Sequence, residues 1–397
     1  MTQISQRINQ MAASATLAMS QRSNELRAKG VDVINLSVGE PDFDTPQFIK
    51  DAACKAIADN FSRYTPVPGY MSLRQAIADN IKEVEGVSFL PEQIVVGNGA
   101  KQELFNVIMA TINPGDEVVL PTPAWVSYVE MIKLAQGKVI EVPATIEQDF
   151  KITPAQLRAA LTPATRMVLF CSPSNPTGSV YTAEELQGLV EVLKDYPEVV
   201  ILSDEIYRHI NFTGTYTSMA SFTEIADRVV IINGVSKAYA MTGWRIGYMA
   251  GPLAIAKAVS KLQGQTTSGA SSIAQKAAEA AYTGPQQCVA DMREAFERRR
   301  DLIVKLAREI PDLQVNEPQG AFYLFPCVEK FIGRRCGDRV INSSGDLAMY
   351  LLEEAHVATV DGAAFSLPGY IRLSYATSDE LIREAISRIA AALARLK

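Results

Sequence analysis

The sequence has few of the residues that form disulfide frameworks or zinc sites. Its 397 residues include five cysteines and two histidines, and no two cysteines form a C-x-x-C pair. An odd, scattered set of cysteines is typical of reduced thiols. His209 and His356 are too few and too far apart in sequence for a dedicated zinc site, so we expect both to be structural.

Long apolar runs and blocks of one charge are also missing. Nowhere do about 18 apolar residues follow one another, as a membrane-spanning helix requires, and the first 30 residues show no apolar stretch of signal-peptide length. The formal net charge is −6, without a basic block, which argues against nucleic acid or an anionic membrane as partner. We therefore expect a cytoplasmic protein.

Strand and helix patterns alternate along the middle of the chain. Apolar runs typical of buried strands recur at residues 94–96, 117–120, 138–142, 167–170, 198–202 and 229–232. This alternation predicts a mostly parallel sheet covered by helices. The chain is too long for one simple core, and its pattern changes beyond residue 285, so we expect a smaller α+β domain there.

A lysine lies just beyond the last of these runs. Asn233 and Gly234 break the run, Ser236-Lys237 follows, and a second strand-like run covers residues 245–250. Residues beyond the carboxyl ends of strands in α/β sheets face the ligand crevice. A desolvated lysine amine condenses readily with an aldehyde, and pyridoxal phosphate is the aldehyde cofactor that fits, with Lys237 as its Schiff-base lysine. A solvated surface lysine is the alternative.

Asp204 and Tyr207 follow the strand predicted at residues 198–202. A buried aspartate is costly without a partner. The pyridinium N–H of the cofactor would be such a partner, and Tyr207 could donate to the phenolic oxygen of the cofactor. The alternative for Asp204 is a simple helix cap.

Residues 97–102 read Gly-Asn-Gly-Ala-Lys-Gln between a strand and a helix. Small residues at Gly99 and Ala100 leave N–H groups free to surround an anion at the helix start. The third glycine of a dinucleotide fingerprint is missing, which favours a phosphate site over NAD binding. Lys101 opposes the helix dipole unless a negative ligand lies near; a solvent-facing lysine is the alternative.

Several residues in loops or strands could contact a flat, anionic ligand. An exposed Trp125 could stack on a heterocycle, Asn175 could hydrogen-bond a ligand oxygen, and Arg372 has the paired donors that suit a carboxylate. Tyr64, in a loop rather than on an apolar face, could also be a site residue. Three of these residues have ordinary alternatives: Asn175 could satisfy its own turn, Arg372 could belong to a solvated strand face, and Tyr64 could be a surface aromatic.

Seven motifs in order carry a resemblance to a known family. The chain resembles the class I/II aminotransferases of pyridoxal phosphate fold type I, and within them the bacterial aspartate aminotransferases, nearly end to end. The motifs are GEPDFDTP (39–46), RYTPVPG (63–69), SPSNPTG (172–178), SDEIY (203–207), SKAYAMTGWRIGY (236–248), PQGAFY (318–323) and RLSYATS (372–378).

The resemblance implies a role for each candidate residue. The catalytic set would be Lys237, Asp204 and Tyr207. Tyr207 and Asn175 would contact the phenolic oxygen and Trp125 the ring. Around the phosphate would lie Gly99, Ala100, Lys101, Ser236 and Arg245, with Tyr64 reaching the phosphate of the other subunit. The substrate α-carboxylate would be held by Arg372, Asn175, Trp125 and the Gly39 backbone.

The resemblance also implies a domain division and a homodimer with shared active sites. We expect an N-terminal arm with part of the small domain at residues 1–47, a large pyridoxal-phosphate-binding domain at 48–287 and a small domain at 288–397. The expected activity moves the amino group of L-aspartate to 2-oxoglutarate. Aromatic or other neutral donors, a lyase on the same fold, and the sensor of a transcription regulator are the alternatives; the last lacks its helix-turn-helix domain here.

Two positions bear on specificity, and a third departs from the family pattern. A lysine matching Lys101 is associated in this branch with the distal carboxylate of the substrate. Some relatives that also accept prephenate have a lysine where this chain has Ala12, so we do not expect that activity. The late loop has Asp361 where a proline is commoner, without a functional explanation from the sequence.

Overall fold

The computed structural model describes residues 4–12 and 15–397. The α-helices of these residues are α1 Gln6–Asn9, α2 Ala15–Ala28, α3 Gln47–Ala58, α4 Met71–Glu85, α5 Ala100–Thr111, α6 Val126–Leu134, α7 Pro154–Ala160, α8 Ala183–Leu193, α9 Leu253–Thr266, α10 Ser272–Thr283, α11 Gln287–Arg308, α12 Ser344–Glu354 and α13 Asp379–Leu393. The strands are β1 Ile34–Asn35, β2 Ile94–Gly97, β3 Glu117–Thr122, β4 Lys138–Pro143, β5 Thr165–Cys171, β6 Val200–Asp204, β7 Val229–Gly234, β8 Gly247–Ala250, β9 Tyr323–Leu324, β10 Arg335–Cys336, β11 Arg339–Val340, β12 Val357–Ala358, β13 Val360–Asp361 and β14 Ile371–Ser374.

The main sheet joins strands from residues 94 to 250 in the order β2-β8-β7-β6-β5-β3-β4. Strands β3 to β7 pair in parallel, and β8 runs antiparallel to both of its neighbours. The mostly parallel sheet predicted from the sequence is therefore present. Parallel strands require long crossover connections. Helices α6, α7 and α8 lie in the connections from β3 to β4, β4 to β5 and β5 to β6, and an irregular segment with two 3₁₀ turns connects β6 to β7.

Both faces of this sheet are covered, which explains the continuous apolar runs of its strands. Successive side chains of a strand point to opposite faces. Val230 and Ile232 pack with α5, α6 and α9 in one core cluster, whereas Val229 and Ile231 pack with α7 and α8 in another.

A second unit is built from the C-terminal residues. A small antiparallel sheet has the order β13-β14-β9, and its core includes residues of α11, α12 and α13. The N-terminal strand β1 pairs in parallel with β12, so the chain before α3 is tied to this unit. The predicted boundaries at residues 47/48 and 287/288 remain a prediction.

The parallel strands of the main sheet end at one edge. Asp204 is the last residue of β6 and pairs with Ile232 of β7, and Lys237 follows three residues after β7 ends. The carboxyl ends of neighbouring parallel strands therefore bring an acid and an amine to the same side of the sheet. None of the described helices combines the length and the apolar character needed to cross a bilayer.

Candidate active site

A cavity of about 420 Å³ lies at this edge of the sheet. The predicted site residues that line it are Gly39, Ala100, Lys101, Trp125, Asn175, Asp204, Tyr207, Ser236, Lys237, Arg245 and Arg372. Gly99 lies beside it, because a Cβ at Gly99 would come within 2.4 Å of Arg245 Nη2. Tyr64 does not line the cavity, and its side chain is 97% exposed.

Lys237 reaches across the cavity to the loop that precedes α3. Its Nζ donates to the carbonyl oxygen of Gly39 at 2.6 Å. Burial lowers the pKa of Lys237 to about 8; the carboxylate of Glu40 opposes this shift, and the cations of Arg372 and Arg245 add to it. A larger share of this amine is thus neutral near pH 8 than of an ordinary lysine, and the neutral amine is the nucleophilic form.

Asp204 is a buried carboxylate that accepts hydrogen bonds from two protein groups. Oδ2 accepts from the hydroxyl of Tyr128 at 2.7 Å, and Oδ1 accepts from the backbone N–H of Ile206 at 3.2 Å. Burial raises the pKa of Asp204 to about 6, while both hydrogen bonds and the charge of Lys237 oppose the rise. The two donors therefore favour the ionised form that a protonated ring nitrogen would need.

Buried polar contacts and one buried ion pair fix the segment that follows β6. Glu205 Oε1 accepts from the hydroxyls of Ser203 and Ser218 at 2.9 and 2.8 Å. Arg208 pairs with the buried carboxylate of Glu85 in α4. Burial raises the pKa of Glu205 to about 8. Because unpaired charge is costly in such a place, these contacts hold the segment in one position.

Arg372 enters the cavity from β14 and packs against two aromatic rings. Its guanidinium carbon lies 4.5 Å from the ring centroid of Tyr323 and 5.0 Å from that of Phe365. Nη1 donates to Asn175 Oδ1 at 2.9 Å and Nη2 to Ser37 O at 2.7 Å, whereas Nε has no partner among the described residues. A buried donor without a partner, 2% exposed as a residue, is suited to an anionic ligand.

The start of α5 forms a cationic recess. Gly99, with φ of 88°, precedes the helix, and a Cβ on Gly247 would meet the Ala100 backbone nitrogen at 2.1 Å. Arg245 packs over this turn, with Nη2 donating to Asn98 O at 3.2 Å. A helix start with an adjacent arginine favours a phosphate, and only a residue without a side chain fits at either glycine.

Arg245 is not part of a strand, contrary to the prediction for residues 245–250. The strand begins at Gly247, and Arg245 has a left-handed backbone with φ of 56°. This turn directs the guanidinium towards the start of α5, which a regular strand could not do.

Lys101 and Trp125 form one contact. Nζ of Lys101 lies 4.7 Å from the indole centroid. Burial lowers the pKa of Lys101, and the nearby Arg245 cation lowers it further.

Tyr207 shares a hydrogen bond of 2.7 Å with the hydroxyl of Tyr323, so the two protein side chains hold each other's hydroxyl groups in position.

Tyr128 and Tyr323 are among the cavity residues that were not predicted from the sequence, and both make hydrogen bonds to predicted site residues. Tyr128 follows Trp125 by three residues at the start of α6, and the two rings meet edge to face with centroids 5.3 Å apart. That spacing puts both on one face of a helix, which could have revealed Tyr128. Tyr323 lies in the PQGAFY motif, but no local pattern indicated its contacts with Tyr207 and Arg372.

The cavity fits pyridoxal phosphate. It offers a nucleophilic amine, a buried carboxylate for a ring nitrogen, and a cationic helix start that the missing Cβ atoms of two glycines leave open.

Comparison with known proteins agrees with this fit. Residues 31–389 match the family described as aminotransferase class I and II. The chain belongs to this family. The enzyme is therefore a pyridoxal-phosphate-dependent transaminase of fold type I, as the resemblance predicted.

Similar proteins cover the whole chain. The aminotransferase is 46% identical over 394 residues to an aspartate/prephenate aminotransferase of Nitrosomonas europaea, covering 98% of this chain and 99% of that protein. It is 45% identical to an aspartate aminotransferase of Geobacillus stearothermophilus, covering 97% and 98%. The structure of the Rhizobium meliloti aspartate aminotransferase matches with a TM-score of 0.96 at 42% identity, covering 100% of both chains.

Replacing Tyr128 with phenylalanine should weaken cofactor binding at least about tenfold, because a hydrogen bond to a charged group contributes about 1.5–3 kcal/mol. Loss of the Tyr128 hydroxyl also raises the pKa of Asp204. As the pH is lowered, the variant should therefore lose cofactor affinity at a higher pH than the wild type does. Titration of the apoenzyme with cofactor, followed by absorbance from pH 5 to 9, measures both effects.

Tyr350→Phe is the matched control. Its hydroxyl is also buried and donates, to Ala392 O at 3.0 Å, within the C-terminal helices. If Tyr128→Phe bound cofactor like the wild type at every pH, the hydrogen bond to Asp204 would have no part in cofactor binding.

Proposed function

We propose that the enzyme transfers the amino group of L-aspartate to 2-oxoglutarate, giving oxaloacetate and L-glutamate. The observation that carries this is a cavity with two separate cations for a dicarboxylic substrate. Arg372 has a free Nε for the α-carboxylate, and Lys101 lines the same cavity beside Trp125. Relatives named aspartate aminotransferase support the same choice, including one from Thermus thermophilus solved with maleate, itself a dicarboxylate.

The reaction needs an electron sink and a mobile proton. When bound, pyridoxal phosphate supplies an aldehyde that condenses with amines and a ring that accepts electrons from the substrate α-carbon. Lys237 is the proposed general base, and its Nζ moves the proton of the α-carbon. Its pKa of about 8 suits this task, because the amine is partly neutral at physiological pH.

The other proposed roles are those that the resemblance implies, and the position of these side chains in or beside one cavity supports them. Asp204 would keep the ring nitrogen protonated, Tyr207 with Asn175 would contact the phenolic oxygen, and Trp125 would stack on the ring. The phosphate would be held by Gly99, Ala100, Lys101, Ser236 and Arg245, and the α-carboxylate by Arg372, Asn175, Trp125 and the Gly39 backbone.

Neutral amino donors are the second candidate. Apolar groups also line the cavity, among them Leu17 from α2 and Val126 from α6. A pocket with one cation and apolar walls would accept alanine or an aromatic donor. Prephenate is not among the proposed acceptors, because position 12 holds alanine rather than the lysine associated with its use.

We also propose a cytoplasmic homodimer. All five cysteines are unpaired, which is typical of a reducing compartment. Tyr64 projects into solvent at 97% exposure, away from the cavity of its own chain. If Tyr64 enters the cavity of a second copy of the chain, a site residue in the RYTPVPG motif can be exposed in the single chain.

A panel of donors with 2-oxoglutarate tests the substrate. With cofactor at saturating concentration, so that the loss of Lys101 from the phosphate site does not limit turnover, aspartate should be used with a higher kcat/KM than alanine or phenylalanine. Under these conditions Lys101→Ala should reduce kcat/KM for aspartate about tenfold or more while leaving that for alanine nearly unchanged. Lys133→Ala, a lysine of α6 paired with Glu130 on the surface, is the control. Equal losses for aspartate and alanine would refute the role of Lys101.

Tyr64→Phe tests the shared site. We expect cofactor affinity to fall several-fold, since one hydrogen bond to a charged phosphate is lost. Sedimentation at the same concentrations should give a dimer. Tyr196→Phe, at a part-buried tyrosine in the turn after α8, serves as control. A monomer that binds cofactor normally, with unchanged affinity in Tyr64→Phe, would contradict the proposal.

A further inference from the structure

Asp361 makes contacts that a proline at this position could not make. Its Oδ1 accepts from the hydroxyl of Ser344 at 2.6 Å and from the backbone N–H of Ala363 at 3.1 Å. Ser344 is the first residue of α12, and Ala363 lies in the 3₁₀ turn Gly362–Phe365. One carboxylate therefore ties the start of a helix to the start of this turn.

Two neighbouring features fit this carboxylate. A Cβ on Gly345 would come within 2.9 Å of Asp361 Oδ2, so glycine leaves the room that the carboxylate occupies. The chain that leads from the turn to β14 is bound to the same hydroxyl, because Gly369 donates its N–H to Ser344 Oγ at 3.1 Å. The carboxylate also lies at the positive end of an 11-residue helix, where negative charge is favourable.

The turn ends with Phe365, which contacts Arg372 of β14 and the chain just before α6. Its ring lies 5.0 Å from the Arg372 guanidinium carbon, and it meets Phe325 edge to face with centroids 5.8 Å apart. The carbonyl oxygen of Phe365 accepts from the backbone N–H of Ala124 at 3.0 Å. Ala124 is the neighbour of Trp125, which directly precedes α6. Phe365 is 1% exposed and packs in a buried cluster with Phe150, Phe325, Val360 and Tyr370, so a shift of the turn would have to move a packed ring.

We propose that Asp361 is a positioning residue for the substrate α-carboxylate. It holds the turn that keeps Phe365 against the Arg372 guanidinium, which the ring of Tyr323 also contacts. The guanidinium then has a single orientation, with Nε left for the carboxylate. This inference rests on the proposed role of Arg372, and it deepens that role by naming what fixes the arginine.

Asp361→Ala tests the inference. The KM of every accepted amino donor and of 2-oxoglutarate should rise about five- to tenfold with little change in kcat, because the α-carboxylate is common to all of them and is bound before and during the reaction. The dissociation constant of succinate from the cofactor-loaded enzyme, measured by calorimetry, should rise by the same factor. Asp361→Asn keeps an acceptor oxygen and should restore most of the affinity.

Asp346→Ala is the matched control. Asp346 lies in the first turn of the same helix, and its Oδ2 accepts from the backbone N–H of Asn342 at 2.9 Å, but it does not contact the turn with Phe365. This variant should lower the unfolding temperature without changing KM. If Asp361→Ala lowered the unfolding temperature in the same way and left KM and succinate affinity at wild-type values, the inference would be overturned.

Two further outcomes separate this inference from the proposed function. A wild-type enzyme that prefers neutral donors would refute the aspartate assignment, yet Asp361→Ala would still have to raise the KM of those donors. Should Asp361→Ala fail to fold, Phe365→Leu removes the ring from Arg372 directly, and an unchanged KM in that variant would contradict the inference.

Discussion

The burial of an amine and a carboxylate at the ends of two paired strands is the constraint on which the site depends. Asp204 ends β6 and Lys237 follows β7. Parallel strands buried on both faces leave these groups little water, so burial raises the pKa of Asp204 to about 6 and lowers that of Lys237 to about 8. Each shift moves the group towards its neutral form. The rest of the cavity determines how far each shift goes.

The surrounding charges act on the two groups in different ways. The cations Arg372 and Arg245 lower the pKa of Lys237, and Glu40 and Asp204 oppose them. Tyr128 and Ile206 donate to Asp204 and favour its charged form. The site thus keeps a partly neutral amine beside a carboxylate that is ionised at neutral pH, and a transaminase needs both states together.

Much of this arrangement could be predicted because it depends on local patterns. Strand ends followed by small and polar residues indicated Lys237 and Asp204, and a Gly-rich turn before α5 indicated the anion recess. The contacts made over long sequence separations were not predictable. Arg245, in a left-handed turn, packs against Asn98 and Gly99, and Asp361 of β13 contacts Ser344 and Gly345 at the start of α12.

The proposed chemistry requires that Lys237 carry the cofactor covalently. Borohydride reduction of the cofactor-loaded enzyme, followed by peptide mass mapping, tests it most directly. We expect one pyridoxyl group per chain, attached to the peptide that contains Lys237, and no attachment in Lys237→Ala. Attachment at Lys101, or equal labelling of the Lys237→Ala variant, would contradict the claim.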